Sequence, residues 1–212
     1  MISHVVHVLG SRGGHALLGG HGGDGRATVA KVAAITLGQV FFHVPSSDSY
    51  PISKWRRDLA RIIREIAKTA QDTVLYLTAS QLSRQPFVLD DINSLLIRGE
   101  VMDLFSVEDK HELNEVMTGC LNVSSLYERK NSQVTAVLWF VFQYVHQQML
   151  NNAGNTIITE VTPTALYERF IQMCRDKLHI LVAYNSGEKK AESIFRESPA
   201  IVKSTVHVVF KV

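Results

Sequence analysis

The chain has 212 residues, 22 basic and 20 acidic side chains, a formal net charge of +2 and a hydrophobic content of 46%. That excludes a disordered tail, a collagen-like repeat and a disulfide scaffold; a chain of this length buries roughly 70% of its unfolded surface without cross-links. Near-neutral charge argues against a surface devoted to nucleic-acid phosphates, and Cys120 and Cys174, which lie outside any CxxC pair, suit a reducing compartment. No basic region leads into a long apolar run at the N-terminus, so no signal peptide is expected. The longest apolar stretch, Val134 to Val145, is too short and too polar to span a bilayer.

Ala16-Leu17-Leu18 reads as a short strand that runs into Gly19-Gly20-His21-Gly22-Gly23-Asp24-Gly25-Arg26, and Thr28 to Leu37 is apolar enough to be a buried helix. Val40 to Val44 is a second strand, closed by the turn chemistry of Pro45-Ser46-Ser47-Asp48. Ser53 is placed to cap a helix whose apolar positions Trp55, Leu59, Ile62, Ile63 and Ile66 recur every three or four residues. Arg56, Arg57, Arg61, Arg64 and Lys68 share its other face, which reads as a solvated surface, with a partner-binding surface as the second reading.

Thr73 to Thr78 is a third strand, and Phe87 to Leu96 a short helix with Phe87, Leu89, Ile92, Leu95 and Leu96 inward, stopped by Gly99. Helices are expected over Val107 to Gly119 and Val134 to Leu150, with a polar stretch from Asn122 to Gln133 between them. A helix from Pro163 to about Lys177, a strand His179 to Tyr184, a helix Lys189 to Arg196 and a last strand Val206 to Phe210 complete the chain. Strands alternating with helices at this spacing predict a parallel sheet covered on both faces.

The glycine loop carries the chemistry. A phosphate-cradling loop needs glycines that let successive N–H groups turn inward, a helix N-terminus, a lysine for the outer phosphates and a Ser or Thr on magnesium. Gly20 and Gly25 occupy the glycine positions of G-x-x-x-x-G-K-[ST], but Arg26 stands at the lysine and Ala27 at the hydroxyl residue. Thr28 comes one position late, about 100° around the helix. A tight turn feeding a buried helix is the simpler alternative. Hydrolysis also needs a carboxylate at the end of a later strand. Here Val74-Leu75-Tyr76-Leu77 runs into Thr78-Ala79-Ser80-Gln81, and the next acids, Asp90 and Asp91, read as surface and capping residues. The nine histidines are dispersed, so no metal site is expected.

Taken together these residues resemble the fourth AAA+ unit of dynein heavy chains, most closely the axonemal type. Gly14 to Leu18 with Gly22 to Arg26 is similar to that unit's first strand and loop, where axonemal members also carry arginine. Ser49-Tyr50 with Trp55-Arg56-Arg57-Asp58-Leu59, and Phe87-Val88-Leu89-Asp90-Asp91-Ile92-Asn93-Ser94-Leu95-Leu96, are similar to two further family blocks. So are Leu178 to Val182 and Phe195-Arg196 with Pro199.

The resemblance implies a three-layer α/β P-loop NTPase fold: one AAA+ large subdomain over residues 1–212, with a helical insertion at about 122–162 and no small helical subdomain. It implies ATP or ADP bound by Gly20, Gly22, Gly23, Asp24, Gly25, Arg26, Ala27 and Thr28, Asn185 as a sensor of the γ-phosphate, and Arg196 as an arginine reaching the adjacent unit's nucleotide. The implied partners are neighbouring AAA+ units of one long chain, dynein-associated chains and, indirectly, microtubules, with no nucleic acid or membrane. The implied setting is the cytoplasm, its cytoskeleton or an axoneme.

The sequence departs from that family where Ala79 replaces an Asp, where Ala27-Thr28 replaces Gln-Ser and in the length of 122–162. Those departures leave magnesium without a protein ligand, so the expectation is a structural or regulatory unit with no catalytic residue. A working ATPase with an acid such as Glu100, and a scaffold that binds no nucleotide, remain alternatives.

Overall fold

The computed structural model describes residues 2–45, 50–127, 163–187 and 189–210, the side chains of 118–127, 163, 189 and 190 excepted. In chain order the elements are α1 (Ile2–Leu9), β1 (Ala16–Gly20), α2 (Arg26–Thr36), β2 (Val40–His43), α3 (Ile52–Thr69), β3 (Thr73–Thr78), α4 (Ala79–Arg84), α5 (Pro86–Arg98), α6 (Val107–Tyr127), α7 (Pro163–Lys177), β4 (Leu178–Asn185), α8 (Lys189–Glu197), α9 (Pro199–Ser204) and β5 (Val206–Val209). The helix expected over Val134 to Leu150 lies outside the described residues.

Successive side chains of the core strands, buried along most of their length, point to opposite faces and build three layers. Leu18, Val74, Tyr76, Leu181, Ala183 and Val208 pack beneath α1 and α2, whereas Leu17, Leu75, Leu77, Ile180 and Val182 face the helices from α3 onward. The strands form one sheet in the order β2-β3-β4-β1-β5, and every pairing is parallel. The connection from β1 to β2 steps one way along the sheet over the α2 face; the later ones step the other way over the opposite face. A single crossover hand requires that division. Adjacent strands β1 and β4 therefore send their following helices to opposite faces, which opens a crevice at their carboxyl ends, the usual ligand position in such sheets.

The long helix α3 buries Trp55, Leu59, Ile62, Ile63 and Ile66, as its periodicity predicts. Its arginines lie along the other side, where Arg61 pairs with Asp58 and Arg64 with Asp109. Four expectations are corrected. Ser53 does not cap α3, because the helix starts at Ile52 behind Pro51. Asp91 is buried rather than superficial: it accepts from the indole of Trp55 at 2.8 Å and faces Arg56 at 3.6 Å, tying together two of the blocks that carry the family resemblance. The polar stretch from Asn122 continues α6 as far as Tyr127. Finally, α2 is buried only along Ala30, Ala33 and Ala34, while Val32 and Ile35 are exposed.

Short helices α1, α4 and α9 were absent from the sequence reading. For α4 the signal is present as Thr78-Ala79-Ser80-Gln81, a capping box: Gln81 N–H donates to Thr78 Oγ1, and Thr78 N–H donates to Gln81 Oε1 at 2.8 Å.

At the opposite end of the sheet His15 Nδ1 accepts from the Ile180 N–H at 3.0 Å. Burial, with a lesser contribution from His179, lowers its pKa from 6.5 to about 4. Between those values the unfolded chain binds the proton and the folded chain does not, so stability falls as pH falls from about 6.5 to 4. This group alone accounts for about 3 kcal/mol over that window. We expect His15→Asn, which keeps an acceptor for Ile180, to flatten the acid limb of stability against pH measured by urea unfolding; an unchanged slope contradicts the assignment.

Candidate functional site

The crevice between β1 and β4 is built by register. Gly20 pairs with Asn185 at the ends of the two strands. The chain then turns through His21 to Gly25, where left-handed φ values of 93° at Gly23 and 70° at Gly25 require glycine, and enters α2 at Arg26. A Cβ on Gly22, Gly23 or Gly25 meets nothing within 4 Å, so the outer rim of the loop is open. The Ser186 N–H donates to Gly20 O at 2.8 Å, and Phe210 N–H to Gly19 O at 2.7 Å, fastening the loop's base to the ends of β4 and β5.

Arg26 does not project from the loop. Its guanidinium folds back across the strand ends: Nη1 donates to the carbonyls of Tyr184 and, at 3.4 Å, Gly20, and Nη2 donates to the carbonyl of His21 at 2.9 Å and to Asn185 Oδ1 at 2.5 Å. A planar fork can span four acceptors in this way and an ammonium cannot. Asp24 also turns inward and accepts from the His21 N–H. A Cβ on Gly20 would lie 2.6 Å from Asp24 Oδ2, 3.0 Å from Phe210 Cβ and 3.5 Å from Arg26 Cδ, so the carboxylate lies over the floor of the loop.

Ala27 and Thr28 both lie exposed on the first turn of α2. Asn185 ends β4 beside the loop and is engaged by Arg26. Arg196 is exposed on α8. Gly20 to Thr28 and Asn185 are thus brought together; Arg196 lies on another helix, next to Phe195, whose ring meets that of Tyr184 edge-on. Gln81 escaped the sequence reading, and it seals the end of β3: its Nε2 donates to Val44 O at 2.8 Å, while Thr78 Oγ1 donates to its Oε1 at 3.0 Å.

Among the described residues, the end of β3 offers magnesium no carboxylate. Thr78, level with Leu18 and two strands away at roughly 10 Å, is occupied by its capping box, and Ala79 is a buried core residue of α4. Glu100 supplies no acid here. It accepts from Tyr167 Oη at 2.8 Å and follows Gly99, which lines a cavity of about 220 Å³ with Gly13, His15 and Leu178 at the amino ends of the strands. For a phosphate group the site is divided: the glycine backbone suits it, whereas the inward Asp24 carboxylate and the engaged Arg26 do not. Among the described residues no cluster of three or more His, Cys, Asp or Glu could hold a metal ion, and no helix is long and apolar enough to cross a membrane.

An all-parallel sheet whose first strand enters a glycine loop and helix at the switch point defines a P-loop α/β domain of the AAA+ type. The family model for the P-loop containing dynein motor region D4 matches residues 1–149, and the chain belongs to that family. It is 25% identical over 201 residues to human dynein axonemal heavy chain 3, which spans 95% of this chain and 4% of the relative. It is 34% identical over 119 residues to the Dynein-1-beta heavy chain of the flagellar inner arm I1 complex of Chlamydomonas reinhardtii, spanning 55% of this chain and 2% of the relative. Over 205 residues it is 22% identical to the beta chain of the flagellar outer arm of the same alga, spanning 97% and 4%. The chain thus corresponds to a small fraction of each relative's length.

A side chain reserved for phosphate contributes little to the nucleotide-free fold, whereas one that bridges two strands does. Arg26→Ala is expected to lower nucleotide-free stability by about 1–3 kcal/mol in urea unfolding, with Arg26→Lys intermediate. An unchanged midpoint in both contradicts the bridging role.

Proposed function

We propose that this chain is a structural or regulatory AAA+ unit of a dynein-type motor ring, one that does not hydrolyse ATP at a useful rate. The observation that carries this reading is the end of β3. There the Thr78–Gln81 capping box and the buried Ala79 stand where a magnesium-holding carboxylate is needed. The end of β3 therefore holds no described carboxylate to grip a cation beside a terminal phosphate or to orient water. ATP or ADP is proposed to contact the backbone of Gly22 to Arg26, with Gly20, Ala27 and Thr28 at the margins of the site. Asn185 is proposed as the residue that couples the loop to β4, the position of a phosphate sensor.

Neighbouring AAA+ units of one long chain are the proposed partners, with dynein-associated chains and, indirectly, microtubules. The exposed position of Arg196 supports a reach toward the adjacent unit's nucleotide. The relatives' names place them in axonemes and flagellar arms, and the same cytoskeletal setting is proposed for this chain.

Magnesium-dependent ATP turnover tests the reading. The 212-residue chain is expected to show none above background. In an intact ring, Arg196→Ala should lower turnover at the neighbouring unit. Turnover by the isolated chain that disappears in Arg26→Ala contradicts the proposal.

A further inference from the structure

The two charged side chains of the loop take up both backbone polar groups of one residue, His21. Asp24 accepts the His21 N–H, and Arg26 donates to the His21 carbonyl. The carboxylate is therefore turned inward over Gly20, close enough that a Cβ on that glycine would collide with it. An inward-turned N–H is what a glycine loop offers to phosphate, and here it is already satisfied by an anion belonging to the chain. Arg26, the cation nearest in sequence, is spread over four oxygens of the protein and does not answer the incoming charge.

We propose that Asp24 is a resident anion that closes this loop against phosphate, an autoinhibitory contact that holds the loop in order without nucleotide. The inference rests on the reading of the loop as a phosphate loop and adds what governs its occupancy. Two negative groups within a few ångströms repel strongly where water is partly excluded, so a di- or triphosphate must first turn Asp24 out of the loop and release the His21 N–H. Apparent affinity is reduced by the small fraction of molecules in the opened state. The open rim at Gly22 and Gly23 leaves room for that outward turn.

Calorimetric titration of the 212-residue chain with ADP tests this, using the wild type, Asp24→Ala and Asp24→Asn. Asp24→Ala is expected to bind ADP at least tenfold more tightly than the wild type, about 1.4 kcal/mol. Asp24→Asn, which keeps an oxygen for His21 and drops the charge, should gain in the same direction by a smaller factor, and it carries the test if the alanine variant does not fold. The His21 amide should exchange faster in Asp24→Ala without ADP. Equal or weaker ADP affinity in the folded variants, or unchanged exchange at His21, overturns the proposal. ATP turnover by the wild type sinks the non-hydrolysing reading while leaving this inference intact; unchanged affinity in the Asp24 variants does the reverse.

Discussion

The guanidinium of Arg26 joins the glycine loop after β1 to the last residues of β4, and the character of the site follows from that bridge. Two parallel strands whose helices leave on opposite faces need something to close the gap between their carboxyl ends. In a loop built for lysine, bound phosphate and magnesium can do so. Here a side chain of the fold does it, through the carbonyls of Gly20, His21 and Tyr184 and the amide of Asn185. A charge-assisted bond to such acceptors is worth more than a neutral one, and leaving it unmade at a half-buried position is costly.

The same economy of partners holds at the neighbouring strand end. Thr78 and Gln81 use their polar atoms on each other and on Val44, linking β2, β3 and α4. Asp91 is used on Trp55 and Arg56, joining α3 to α5. These polar side chains are committed to the packing of the domain. The P-loop architecture is intact, and the polar side chains at these two strand ends are spent on contacts within the domain.

Much of this was legible beforehand. The stripe Trp55, Leu59, Ile62, Ile63, Ile66 carries its period in the sequence because one buried face imposes it, and β3 and β4 show as short continuous apolar runs because both their faces are buried. Gly20, Gly22, Gly23 and Gly25 were visible as a pattern, and the family blocks pointed to the right fold. Short helices such as α1 carry too few turns for a period to show. The capping box of α4 is legible in Thr78-Ala79-Ser80-Gln81, directly after the apolar run of β3. Asp91 was misjudged because its partner Trp55 lies 36 positions earlier. The disposition of Arg26 could not be read at all: its acceptors Tyr184 and Asn185 lie 158 and 159 residues away, and charge alone does not say which oxygen it will meet.

The account stands or falls on where one side chain lies when no nucleotide is present and when one is offered. An electron-density map of the loop in crystals of the chain, before and after a soak with ATP and magnesium, measures this directly. The account predicts the Arg26 guanidinium on Tyr184 and Asn185 in the first map, and in the second no metal ion held by protein oxygens at the ends of β1 and β3. An Arg26 directed into the loop in the first, or a fully coordinated magnesium in the second, contradicts it.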